Sequence, residues 1–74
     1  MKVKEIIVLT TMAAQDLPDE LGWHVKAALN LGLTREEIIG VFVQCTPYIR
    51  LPKANHAIRA AMKTFKALDA EKAA

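Results

Sequence analysis

Apolar residues recur at helical spacing in four blocks along the 74-residue chain, with short polar, Pro- or Gly-containing breaks between them. From residue 2 to about 15, Val3, Ile6, Ile7, Val8, Leu9, Met12 and Ala13 predict a helix. The β-branched cluster alone also suits a short buried strand, but its continuation through Met12-Ala13-Ala14 exceeds ordinary strand length. Glu5 is the odd residue of this block, because on a helix it shares a face with Val8, Leu9 and Met12, all apolar. Gln15 to Asp19, with Pro18, reads as a loop. Asp19 is then placed to cap a second helix, with Glu20 at that helix's positive end. Leu21, Val25, Ala28 and Leu29 form its apolar stripe. Gly32 ends it where a left-handed backbone is needed.

Thr34-Arg35-Glu36-Glu37 is a capping box: the Thr34 hydroxyl takes the Glu37 amide and the Glu37 carboxylate reaches back. Ile38, Ile39, Val41, Phe42, Val43 and Cys45 leave the third helix almost no polar face, which predicts a place at the centre of the fold or at a subunit interface. Pro47 is expected to kink or end it near Thr46 to Tyr48. Pro52 suits the first turn of a fourth helix, whose stripe runs Ala54, Ala57, Ile58, Ala61, Met62, Phe65 and Leu68. The tail from Asp69 to Ala74 is expected to fray. The pattern predicts one all-α domain over residues 1–74, built of about four helices.

Composition adds a constraint. A chain this short buries a small core that is marginal alone, yet 53% of its residues are hydrophobic. That surplus predicts subunit interfaces and hence an oligomer. The single Cys45 excludes an internal disulfide and a Cys-rich zinc site. No apolar run is long enough to span a bilayer, and the first residues are broken by Glu5 before they resemble a signal peptide. A free cysteine without such a signal predicts a cytoplasmic protein. The net charge of +2 is too mild to imply a nucleic-acid or membrane partner.

The candidate chemistry is sparse. Glu20 and His24 stand one helical turn apart, so a carboxylate can hold the imidazole in one tautomer. An ordinary surface pair has the same spacing. Glu5 is either a solvated charge at a helix start or, given its apolar neighbours on that face, a group held for use. Cys45 reads as inert packing and His56 as exposed. The two histidines lack the spacing of a metal site. Trp23 adjoins His24 and is placed to wall a pocket, although packing in the core or at an interface is the common role for it and for Tyr48. Arg50 and Lys53 flank the start of the fourth helix, where they either bind a substrate carboxylate or stay solvated. The Ala28-to-Ile38 spacing also fits a helix-turn-helix. Its recognition helix would offer Arg35, Glu36 and Glu37 and then only apolar residues, too few basic and amide groups to read a groove.

The residues Glu20-xxx-His24-Val25-Lys26-Ala27-Ala28-Leu29-Asn30-x-Gly32-x-Thr34-x-Glu36-Glu37-Ile38, followed by Gln44-xxx-Tyr48-xxx-Pro52-x-Ala54, resemble the carboxymuconolactone decarboxylase family. The resemblance covers roughly residues 5 to 58. It implies a small helical subunit that assembles into trimers or hexamers, and a cofactor-free, metal-free reaction on an anionic lactone or related acid, of the kind met in aromatic catabolism. In that reaction carbon dioxide leaves and the resulting dienolate is protonated. The family's active-site histidine falls at His24, with Glu20 beside it and Glu5 as the distal acid of a Glu…His relay. Its alkylhydroperoxidase branch carries a cysteine pair that would fall at Leu17 and Glu20, so the resemblance excludes dithiol chemistry. The chain departs from the decarboxylases at Gly40, where many have Glu, and near Arg50, where Gly is usual. A non-catalytic assembly module of the same family is the alternative those departures suggest.

Overall fold

The computed structural model describes residues 2–73, and among these the chain forms four helices: α1 (Lys2–Ala14), α2 (Pro18–Asn30), α3 (Arg35–Ile49) and α4 (Leu51–Ala73). Lys2 and Ala73 are described by their backbones alone, and Ala74, the end of the expected frayed tail, lies outside the described residues. At 1.5 Å per residue the 23 residues of α4 reach about 35 Å, nearly the molecule's 38 Å longest dimension. α4 is thus the backbone against which α2 and α3 lie, while α1 closes the other side against α2 and α3.

The core follows the expected stripes with instructive exceptions. Leu9 and Ala13 of α1, Leu21, Val25 and Ala28 of α2, Ile38 and Phe42 of α3, and Ala57, Ala61 and Phe65 of α4 are buried together with Leu33. On α1 the buried stripe is Glu5, Leu9 and Ala13, four residues apart, so an acid occupies a core position. Val3, Ile6 and Ile7 face outward. Met62, assigned to the α4 stripe from spacing, is exposed, as is Val43 on the nominally all-apolar α3. Five small residues facing the core from α4 (Ala54, Ala57, Ala61 and their neighbours Ala60 and Thr64) let α2 approach closely. At Gly22 a Cβ would sit 3.1 Å from Thr64 Oγ1, so a side chain there would require Thr64 to give way.

The ends of the helices settle most of the local expectations. Thr34 and Glu37 form the capping box in full: the Glu37 amide donates to Thr34 Oγ1 at 3.0 Å and the Thr34 amide donates to the Glu37 carboxylate at 2.8 Å. Gly32 takes φ 102°, the conformation a side chain would oppose. Asp19 is not the cap of α2. The helix starts a residue earlier, at Pro18, with Leu17 at the cap position and no side-chain cap bond, because Pro18 supplies a preset φ at the first helical position. Pro47 neither ends nor visibly interrupts α3, which continues to Ile49. The amide it removes would have bonded Val43, whose side of the helix faces solvent, and the Arg50 amide still closes onto the Thr46 carbonyl. The α4 tail is helical through Ala73. Its last turns are tied to α3 by a bidentate pair, Arg35 to Asp69 at 2.9 and 2.5 Å. The hydrogen bonds that Arg35 donates to the Asp69 carboxylate lower the Asp69 pKa and raise that of Arg35.

Arg50 joins α3 to α4 with φ 76° and ψ 151°. This is a backbone region almost confined to glycine, and a side chain there costs about 1–3 kcal/mol. The sequence position where Gly was expected is therefore one whose backbone still asks for it. Among the described residues no helix is long and apolar enough to cross a membrane.

Candidate active site

Helix spacing alone carries Glu5 into the protein. It stands one turn before Leu9 on the stripe of α1 that faces α2, and only 8% of it is exposed. Its Oε1 is enclosed and has no hydrogen-bond partner among the described residues. An acceptor stranded in this way costs about 1–3 kcal/mol, so packing gives no reason for an acid at this place.

α2 brings His24 to the same spot. Leu21, Val25 and Ala28 anchor that helix in the core, and His24 stands at the margin of their stripe, turned to α1. His24 Nδ1 lies 4.0 Å from Glu5 Oε1, and the imidazole side chain is 39% exposed against 10% for the carboxylate. The arrangement is graded from dry to wet: a buried acid, then a partly exposed ring with one nitrogen toward the acid. Four ångströms is ion-pair range and longer than a hydrogen bond. Such contacts often tighten only when a reacting partner is bound.

The remaining expected site residues fall elsewhere. Glu20, expected to steady His24, is exposed, and no hydrogen bond or ion pair joins the two among the described residues. The carboxylate that meets His24 comes from α1 instead, since packing of α1 on α2 outweighs a solvated pair at a helix start. Lys53 Nζ donates to the Ala14 carbonyl at 3.0 Å, satisfying the end of α1. That point is nine residues, roughly 13 Å of helix, from Glu5. Arg50 stands at the α3–α4 junction, three residues before Lys53, and neither cation has a hydrogen bond or ion pair with His24 or Glu5 among the described residues. Tyr48 is 86% and Trp23 76% exposed, which contradicts core packing for either. The Lys26 ammonium lies 5.9 Å from the Trp23 ring centroid.

His56 is exposed as expected, but its partner, Asp16, was not foreseen: Nδ1 and Oδ1 are 2.9 Å apart. The two are 40 positions apart in sequence, and no local pattern links them. Cys45 is half-buried and its thiol donates to Thr10 Oγ1 at 3.6 Å, a packing contact between α3 and α1. Among the described residues, no three His, Cys, Asp or Glu side chains converge as metal ligands would. The start of α3, the would-be recognition helix, presents Glu36 to solvent while Arg35 is engaged by Asp69.

Comparison with known proteins places the sequence in a family. The sequence is 31% identical over 65 residues to the 4-carboxymuconolactone decarboxylase of Acinetobacter baylyi (strain ATCC 33305 / BD413 / ADP1); the match takes in 88% of this chain and 48% of that protein. The chain thus spans about half the length of the curated relative it matches. The carboxymuconolactone decarboxylase family model matches residues 1–63, most of α1 to α4, and on that match the chain belongs to the carboxymuconolactone decarboxylase family.

Proposed function

We propose that the protein is a carboxy-lyase that removes carbon dioxide from a carboxylated lactone or a related small organic acid, with His24 moving the proton and Glu5 positioning His24. The observation that carries this proposal is the enclosed Glu5 carboxylate facing the His24 ring at 4.0 Å. A leucine in that place would extend the core stripe of Leu9 and Ala13, whereas the acid weakens it. The half-exposed ring beside it is placed to meet a ligand.

The chemistry asks little more of the site. As the bond to the carboxylate breaks, its electron pair passes into the ring system as a dienolate and carbon dioxide departs. His24, as imidazolium, gives its proton to carbon and steadies the oxyanion on the way. Glu5 opposite Nδ1 keeps the other nitrogen aimed outward and balances the imidazolium charge.

Self-association completes the proposal. Val43, Met62, Tyr48 and Leu51 are more than half exposed, a surplus that copies of the chain would cover. A neighbouring subunit would also close the open edge of His24 and bring Arg50 or Lys53, which make no bond to His24 or Glu5 in their own subunit, to a substrate carboxylate. A trimer or hexamer fits this requirement.

A second reading, a non-catalytic assembly module, is favoured by the 4.0 Å separation, which is no hydrogen bond. The test is turnover of 4-carboxymuconolactone followed by carbon dioxide release, with the oligomer checked by sedimentation. Wild type should turn over, and His24→Gln should lose about 10²–10⁴-fold in kcat with its assembly unchanged. A fully active His24→Gln removes His24 from the mechanism, and an inert, folded wild type favours the module.

A further inference from the structure

On the side of α2 away from His24 a second feature has no part in the chemistry above. Gly22 and Lys26 are one turn apart there, as are Asp19 and Trp23, and His24 stands two positions from Gly22 and Lys26, across the helix. Facing them, α4 presents Arg59 and Lys63. Between the helices lies a cleft of about 550 Å³, within the range of sites for small organic ligands. The close approach of Gly22 to Thr64 makes its floor.

The charges in this cleft are unbalanced. Lys26, Arg59 and Lys63 all line it, against the carboxylate of Asp19, while the His56 ring at its edge is already engaged by Asp16. Arg59 and Lys63 are one turn apart on the same face, a like-charge spacing that weakens a helix. Neither has a hydrogen bond or ion pair with a described residue. Other cations of the chain are spent structurally: Arg35 grips Asp69 and Lys53 caps α1. Beside the three stands Trp23, 76% exposed, a flat apolar wall with nothing stacked upon it except the Lys26 ammonium.

We propose that the α2–α4 cleft is a second binding site, for a small anion that carries two or more negative charges on a flat unsaturated ring. A guanidinium fork takes a carboxylate or phosphate two bonds at a time, the two ammonium groups take the remaining charge, and the ring lies on the indole. Occupancy removes the repulsion between Arg59, Lys63 and Lys26. The inference does not rest on the decarboxylase proposal, since neither Glu5 nor His24 lines the cleft.

Trp23 is the only tryptophan of the chain, so its fluorescence reports on the site directly. Three probes separate the features: benzene-1,3,5-tricarboxylate, uridine diphosphate, and citrate, which has the charge without the ring. Saturable quenching is expected with the two ring compounds, at an affinity about tenfold above that of citrate. The tighter of the two tells whether the natural ligand is a carboxylate or a phosphate ester. Arg59→Gln and Lys63→Glu should each weaken binding about tenfold or more. Lys66→Glu makes the same charge change on an exposed position of α4 outside the cleft and should alter affinity less than twofold, and His24→Gln should not alter it. The proposal is overturned if no probe saturates at millimolar concentration, if citrate binds as well as the ring compounds, if Lys66→Glu costs as much as Lys63→Glu, or if His24→Gln abolishes binding.

Discussion

The molecule holds two pairs of imidazole and carboxylate, and they differ in almost every physical respect. His56 and Asp16 meet at 2.9 Å on the surface, both partly exposed. His24 and Glu5 stand 4.0 Å apart, the acid buried and one of its oxygens without a partner. Judged by distance, the first pair is the better interaction. Judged by what the fold gives up, only the second needs explaining, because a solvated pair contributes little and a stranded buried acid is a standing cost. Short contacts at the surface are what any charged side chains make when they happen to be neighbours. An imperfect contact in a dry place is retained against the interest of stability, and it therefore marks a site.

The sharpest break of this comparison is Glu5→Leu. Replacing the acid with a residue that continues the Leu9–Ala13 stripe should raise stability by about 1–3 kcal/mol, read as a higher midpoint in urea. The same variant should lose turnover. Glu5→Gln, which keeps the shape, should lower kcat by about 10- to 100-fold, as removal of a group that only orients a working side chain does. KM should hold, because Glu5 lies behind the ring and does not touch substrate. A Glu5→Leu protein that is less stable than wild type would make the carboxylate a structural element, and the contrast between the two pairs would be lost.

Much of the fold was legible because its signals are local. The capping box at Thr34 and Glu37, the left-handed turn at Gly32 and the stripes of α2 and α4 are all set by residues within one or two turns of each other. Pro47 departs from expectation for a physical reason: a proline near a helix's end deletes one amide, and Val43, whose carbonyl loses that bond, is on the solvent side of α3. Asp19 does so because two good starts, Pro18 and a capping acid, stand side by side. The candidate site was harder. Glu5 was visible as an acid among apolar residues, but the carboxylate expected to meet His24 was its helical neighbour Glu20. Local spacing cannot say which of two acids the packing of another helix will bring. Asp16 with His56, and Lys26 with Arg59 and Lys63, are likewise juxtapositions made by tertiary packing. In sequence they show only as unremarked polar positions.

A third carboxylate extends the contrast. Asp69 is exposed, but it is held by two hydrogen bonds from one guanidinium, which lower its pKa. A carboxylate depressed in the folded state contributes stability that is complete above its unfolded value, about 4, and is lost as pH falls through the lower folded value. Asp69→Asn should therefore melt below wild type by a constant margin from pH 7 to about pH 5, and the margin should close below about pH 4. Turnover should not change. A margin that persists at pH 2.5 would mean that Asp69 acts through something other than its charge.

The smallest effect is expected at the surface histidine pair, and it is the control on which the comparison turns. Asp16 occupies a left-handed turn position, φ 57°, so an alanine there would confound loss of the pair with backbone strain. Asparagine tolerates that conformation and keeps an oxygen within reach of His56 Nδ1, so Asp16→Asn removes little except the charge. It is the same carboxylate-to-amide exchange as Glu5→Gln, made at the shorter of the two contacts. Stability should move by no more than about 0.5 kcal/mol in either direction, with kcat unchanged. If proximity of acid to imidazole were what mattered, Asp16→Asn would do at least as much damage as Glu5→Gln. A comparable fall in kcat for the two amides would show that burial does not distinguish the pairs, and that His24 has been singled out for the wrong reason.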